Sequence, residues 1–418
     1  MNRVENAFSQ PEAIFGYISI FFIFFGIFAK DIVSFYLLDY SLRNYYGAGF
    51  VLAGGAIAGF LVLSRHRMDV LQLASNKLVV SWLGLLLVIA PLTAYFFNGR
   101  VFVSPHAVGF CAALTCYLVS RRITKTILIF VLVAQFATLL YEYHYGVSLT
   151  LTTNEAKNVY FNDKMWFIDS TIGLIRAKGM LDSTHDSTWL FFYSALIFEL
   201  GTIILIFSFC AGWMAQGRLA MMSVGVLCLV SGHRVRIILT LAAIGLLALA
   251  IYPDKMISGT MFFFGAFDAE SSSNTYRVEA TQAAVQYLTG GAGDDDDARY
   301  LGSFVLRAIF GASSSSLGPG TVLTEMGYTL FAIEYGIIGL LLMGWTTAVV
   351  YNKGRAAKNQ SCISLGVFIP ILMLSSGTQS ASTFFMLWLA VLFLTRLADV
   401  KPSSEQVRSL SGEVHDDS

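Results

Sequence analysis

Apolar positions in this chain fall in long runs, with polar residues gathered between them. Runs of roughly 16 to 24 residues recur from end to end, long enough to cross a hydrocarbon core of about 30 Å at ~1.5 Å per helical residue. They predict helices at 14–29, 46–63, 78–97, 102–119, 126–145, 189–210, 219–231, 235–252, 256–268, 327–350, 360–378 and 382–397. A membrane β-barrel would alternate apolar and polar residues over segments of about ten, a pattern the chain does not have. The expected fold is all-α, a polytopic helical bundle of about 12 transmembrane helices.

Composition agrees. Of 418 residues, 56% are hydrophobic and 13% charged, about half the charged fraction of a soluble protein, and the mean hydropathy is +0.66. Net charge is zero, which removes the electrostatic basis for a nucleic-acid partner. Cys111, Cys116, Cys210, Cys228 and Cys362 all lie in apolar segments without CxxC spacing. They read as small buried hydrophobes. The first apolar stretch lacks the short core and cleavage site of a signal peptide and is expected to stay as a helix.

Charge between the runs sets a topology. Arg65 with Arg67, Arg121 with Arg122 and Lys125, and Lys353 with Arg355 and Lys358 stand directly beside spans. The positive-inside rule places them in the cytoplasm of a bacterial inner membrane. Three crossings within 219–268 then keep His233, Arg234 and Arg236 out of the bilayer centre, on the outer face, with Lys255 inside. The expected organisation is N-terminal helices (1–145), a periplasmic loop (146–188), central helices (189–268), a large periplasmic loop (269–326), C-terminal helices (327–397) and a polar cytoplasmic tail (398–418). Connections as long as 146–188 and 269–326 are uncommon and invite a functional reading.

Candidate chemistry gathers near those loops. Ser231-Gly232-His233-Arg234-Val235-Arg236 puts three basic residues at a helix start, against the dipole preference for acids there. Either they snorkel into lipid headgroups or they bind a phosphate, which the Arg fork matches bidentately. Arg277 sits in the first turn of an amphipathic stretch begun by Asn274 or Thr275 and ended by Gly290 and Gly291. Gly311 to Gly320 reads GASSSSLGPG, whose glycines would let backbone N–H groups approach an anion. Glu325 follows at a helix head, and Glu334 lies nine residues on, on the opposite side of that helix at ~100° per residue. Arg176, Lys178, Asp182, His185 and Asp186 crowd the loop before 189–210. The run Asp294, Asp295, Asp296 and Asp297 reads as a solvated turn rather than a metal site. Glu199, inside the run 189–210, is expected to face the bundle interior with a partner.

In their order these features resemble the O-antigen polymerase/ligase superfamily, multispanning membrane glycosyltransferases of the GT-C class, over roughly residues 170–350. Arg176 with Gly179 resembles its Arg-x-x-Gly stretch, and His233-Arg234 takes the place of its Ser-Arg motif. Arg277 is similar to its second essential arginine. Gly318-Pro319-Gly320 and Glu334-Tyr335-Gly336-Ile337-Ile338-Gly339 resemble its Gly-x-Gly turn and E-x-G-x-x-G helix. Ligases carry His-Asn where this chain has Glu325-Met326, a departure that favours a polymerase.

The resemblance implies a GT-C-like surface-polysaccharide polymerase. It would transfer undecaprenyl-diphosphate-linked oligosaccharide units with inversion, without metal or cofactor, at the periplasmic face. Arg234 and Arg277, assisted by Arg236 and His233, would hold the diphosphate, with Glu325 as general base. Arg176, Gly318 and Gly320 would position substrate. Membrane lipid and a chain-length regulator are the implied partners. A ligase, or a transporter of lipid-linked glycans, is the alternative.

Overall fold

The computed structural model describes residues 10–37, 43–65, 75–99, 103–146, 168–169, 174–175, 177–181, 183–264, 301–311, 327–374 and 380–395, with a few single positions between them. Among these the chain is helical, apart from a short antiparallel ladder pairing β1 (Ile168–Asp169) with β2 (Leu174–Ile175). Six helices are long and apolar enough to cross a membrane: Pro11–Ala29, Tyr45–Val62, Lys77–Phe97, Arg121–Tyr145, Arg234–Ile251 and Tyr328–Ala357. Shorter apolar helices fill the remainder. This is the construction of a membrane protein.

In chain order, α1 (Gln10–Phe24) runs through a π turn (Phe25–Ala29) into α2 (Lys30–Leu37), followed by α3 (Arg43–Arg65). Then come α4 (Lys77–Gly84), a second π turn (Leu85–Ile89), α5 (Ala90–Asn98), α6 (Pro105–Val119) and α7 (Arg121–Tyr145). The centre holds α8 (Thr184–Ile197), α9 (Thr202–Ala215), α10 (Arg218–Val230), α11 (Arg234–Ile251) and α12 (Pro253–Phe264). The last are α13 (Leu301–Phe310), α14 (Gly327–Ala357), α15 (Gln360–Leu372) and α16 (Ala381–Thr395). Helices α8 and α16 are enclosed on nearly every side. Around α16, Trp388 packs edge to face with Trp82, Phe110 and Phe384, and Trp82 with Phe384, at centroids 4.5–6.4 Å apart, the arrangement that ring quadrupoles favour. Trp82 Nε1 donates to Thr346 Oγ1 at 3.0 Å, so the buried indole is satisfied and α4 is tied to α14.

Helix α7 gives the molecule two named ends. Ser120 caps it, Gly146 closes it at φ 70°, and its 25 residues rise about 37 Å. At the Arg121 end, Lys125 Nζ lies 5.8 Å from the rings of both Phe198 and Phe393, and Lys353 Nζ donates to Thr395 O at 3.2 Å. At the Tyr145 end, His144 Nδ1 meets Tyr252 OH at 2.6 Å, and Lys255 Nζ donates to His144 O at 2.9 Å. Tyr328 N donates to Met373 O at 2.9 Å, which joins the start of α14 to the end of α15.

Two expectations fail against this frame. The run 189–210 is a helical hairpin: Ser208 Oγ donates to Phe191 O at 3.0 Å, and the turn between α8 and α9 touches Lys125. The chain closes α8 by Leu200 N to Ala195 O, 2.8 Å, a Schellman-type bond. Glu199 and Leu200 are held at φ 56° and 59°. Glycine ordinarily takes that conformation; the sequence marks the turn only indirectly, by the charge of Glu199 and by Gly201, which caps α9. Glu199 is consequently an exposed turn residue and does not face the interior.

The hairpin reverses everything after it. Met214 O accepts from Ala177 N at 3.1 Å, which puts the end of α9 at the Tyr145 end. Helix α10 runs away from it, and α11 returns to Tyr252 and the His144 contact. His233, Arg234 and Arg236 therefore lie at the Arg121 end and Lys255 at the Tyr145 end, the opposite of the expected placement. Of the segment expected to span at 256–268, the described residues belong to the short helix α12, which packs against Trp213 and Gln216 at the Tyr145 end.

Candidate functional site

Two buried polar clusters occupy the Tyr145 half of the bundle. The first is built on the start of α6. Ser104 caps that helix, its Oγ accepting from His106 N at 3.1 Å, and Pro105 occupies the first helical position, where its missing N–H costs nothing. His106 then turns into the bundle, 1% exposed. Its Nδ1 lies 2.9 Å from Glu334 Oε2, 2.7 Å from Tyr335 OH and 3.2 Å from Ser104 Oγ. Tyr335 OH and Ser104 Oγ are 2.6 Å apart. One ring nitrogen carries at most one proton, so these four side chains share protons among more acceptors than Nδ1 can serve. The rings of Phe331 and Phe384, 5.1 and 4.7 Å from the imidazole, keep water away. An intramembrane carboxylate with a histidine partner is costly to build and ordinarily functional.

Glycine brings Glu334 there. Gly336 breaks the helical geometry of α14 with φ 60° and ψ −158°, and Gly311 ends α13 at φ 77°. A Cβ on Gly336 would come within 2.4 Å of the Ile309 carbonyl, and one on Gly311 within 2.4 Å of the Glu334 carbonyl. The end of α13 thus crosses α14 backbone to backbone beside the Glu334-Tyr335 pair. Both positions require glycine for conformation and for space.

The second cluster is a loop held inside the bundle. Residues 177–181 have no regular structure yet are largely buried, so their backbone groups need protein partners. Glu142, fully buried, accepts from Lys178 N and Gly179 N at 2.7 Å each and from Leu149 N at 2.9 Å. Gln135 donates to Lys178 O at 2.8 Å and to Ser187 Oγ at 2.9 Å, and accepts from Met180 N at 2.8 Å. Gly179 stands at φ 64°, where a Cβ would meet the Gln135 amide at 2.6 Å. Nearby, Ser380 Oγ donates to Asp186 Oδ1 at 2.9 Å, joining the starts of α8 and α16. Outside the spans, burial pushes the Lys255 ammonium down from its ordinary pKa.

Of the sequence candidates, Arg176, Arg277, Gly318, Gly320 and Glu325 lie outside the described residues, as do Asp182 and Asp294 to Asp297. His233, Arg234 and Arg236 are described, exposed, and at the Arg121 end. The length of α11, about 27 Å at ~1.5 Å per residue, separates Arg234 from Tyr252 and Lys255. Arg234 is therefore not gathered with Glu334; it lies at the same end as Arg121, whereas the sequence led us to expect it at the opposite end. Asp186 is buried and His185 half-buried. No group of three potential metal ligands occurs among the described residues.

Sequence reasoning missed His106, Gln135 and Glu142. A signal was present for each. Ser104-Pro105 before an apolar run is a helix-start signature that places His106 in the first turn. Gln135 and Glu142 are seven apart within one apolar helix, hence on one face. Compared with known protein families, curated proteins and solved structures, the chain matches none.

Proposed function

We propose that the chain is an inner-membrane glycosyltransferase that polymerises lipid-diphosphate-linked oligosaccharide units of a surface polysaccharide. In this reading twelve helical passes would run between the two ends, assigned to α1, α3, α4 with α5, α6 to α11, and α14 to α16 among the described residues. With the basic Arg121 end cytoplasmic, both termini are inside, and the connections joining α7 to α8 and α12 to α14 are periplasmic. The observation that carries the reading is the buried His106–Glu334 pair at the end where those two long connections attach. It stands beside the segment Glu334 to Gly339 that resembles the polymerase/ligase helix.

In this reading the long connections bring Arg176, Arg277, Gly318 and Gly320 to the lipid diphosphate. Glu325 takes the acceptor hydroxyl proton as general base, and arginine stabilises the departing diphosphate. The GT-C-like class is part of the proposal. Arg234, Arg236 and His233 have no part in it, because a diphosphate cannot reach both ends of α11. Cells carrying Glu334→Gln in place of the native chain are expected to lose long polymer and accumulate single repeat units on the lipid carrier. Wild-type polymer length would remove the assignment, and long chains stranded on the carrier would indicate a ligase.

One observation favours a second reading. Glu142 and Glu334 are both buried inside apolar helices, as an ion-coupled transporter of lipid-linked glycans would require. Proton-dependent glycan movement in vesicles, with no change in glycan size, would select it.

A further inference from the structure

The basic cluster that leaves the proposed reaction still needs an occupant. His233, Arg234 and Arg236 are exposed, and the two guanidinium groups have no partner among the described residues. Directly above them is the least covered of the long apolar helices. Only 6% of the α11 window is buried, against 28–44% in the other five. Ile237 is its one buried residue, while Val235, Leu239, Leu246 and Leu247 are all more than half exposed. Arg234 and Arg236 flank Ile237 on either side, about 60° and 100° around the helix. Each therefore stands where the packed edge of α11 meets its open face.

We infer that this end of α11 binds an anionic phospholipid. The headgroup phosphate sits between the two guanidinium forks, which match phosphate oxygens bidentately. The acyl chains lie along Leu239, Leu246 and Leu247. The short side chains of Ala242 and Gly245, the latter with nothing within 4 Å of a Cβ, leave the helix surface open to them. Arg122 on α7 and Arg355 on α14, both exposed at this end, add to the positive field, and the exposed Glu199 opposes it. Charge favours lipid over a second copy of the chain. Two copies in one membrane share an orientation, so symmetric packing on α11 would set arginine against arginine at the same depth.

The test uses the full chain purified in non-ionic detergent, with retained lipid counted by native mass spectrometry after mixing with phosphatidylglycerol or phosphatidylcholine. Wild type is expected to retain phosphatidylglycerol selectively. The Arg234→Ala/Arg236→Ala pair should lose about tenfold or more of that preference, at ~1 kcal/mol per arginine, and the Arg→Lys pair should keep most of it. Arg122→Ala/Arg355→Ala serves as a control that lowers positive charge at the same end and leaves most of the preference intact. Equal retention by wild type and the Ala pair overturns the inference. So does displacement of the lipid by an equal concentration of inorganic phosphate, or disulfide cross-linking of Leu246→Cys chains into dimers in vesicles.

Discussion

The two ends of the bundle handle charge in opposite ways. At the Tyr145 end, Glu142, His106 and Glu334 are taken out of water and given partners one by one, with glycines clearing space for the backbone around them. At the Arg121 end, Arg122, Arg234, Arg236 and Arg355 are left exposed. Burying a charge is tolerated only where its hydrogen bonds are supplied, so the first end is dense in specific geometry and sensitive to small changes. The second leaves its charges in solvent, so its folding should tolerate substitution. Placement, and not residue type, separates a built site from a solvated face here.

Substitution can break that contrast, and the largest effect is expected where backbone meets backbone. Gly336→Val puts a side chain 2.4 Å from the Ile309 carbonyl at a positive φ, at a cost above about 4 kcal/mol. The chain should fail to accumulate in membranes, as quantitative blotting would read. Gly232→Ala, with nothing within 4 Å, should change stability by less than about 0.5 kcal/mol. Equal accumulation of the two variants would dissolve the distinction between the ends.

Next in size is His106→Leu, which strands Glu334 in an apolar surround and should cost roughly 3–5 kcal/mol. His106→Leu with Glu334→Met should recover much of the lost thermal stability in detergent, while the polymer synthesis we propose should stay absent. A double variant no more stable than the single one would show that the pair is not coupled. Glu142→Gln keeps one oxygen for Lys178 N and Gly179 N but removes the charge that strengthens those bonds and sets its NH2 against Leu149 N, at about 1–3 kcal/mol. Faster proteolysis within 177–181, with little change elsewhere, is the expected reading. Smallest of all, Arg236→Ala should leave the melting temperature unchanged to within about 0.5 kcal/mol, whatever it does to lipid.

The sequence made the helical, membrane-spanning character legible, because run length depends on hydropathy alone. The exposed basic residues beside the helix ends were legible for the same reason. The reversal at 198–201 was not. It closes on Glu199 and Leu200 at positive φ, with the glycine of the turn one residue later at Gly201, and that one turn reversed the helices from α9 through α11. Of the site, the Glu334-Tyr335-Gly336 segment could be singled out only by its resemblance to an E-x-G-x-x-G helix. Its partner His106 is 228 positions away in the chain, a separation fixed by the 2.9 Å contact and by no local pattern. Gln135 and Glu142 lay in plain view seven residues apart, but their purpose depends on a loop that folds back onto them.

His233, Arg234 and Arg236 lie at the opposite end of the bundle from the His106–Glu334 pair, which in the proposed topology puts them on opposite sides of the membrane. Single cysteines placed at Val103, which is 57% exposed beside Ser104, and at Gly232 can be labelled in intact cells with a membrane-impermeant thiol reagent, in a chain whose five native cysteines are replaced by alanine or serine. Val103→Cys should label from outside, and Gly232→Cys only after the cells are opened. Labelling of both positions from the same side would contradict the placement and restore the arginines to the outer site.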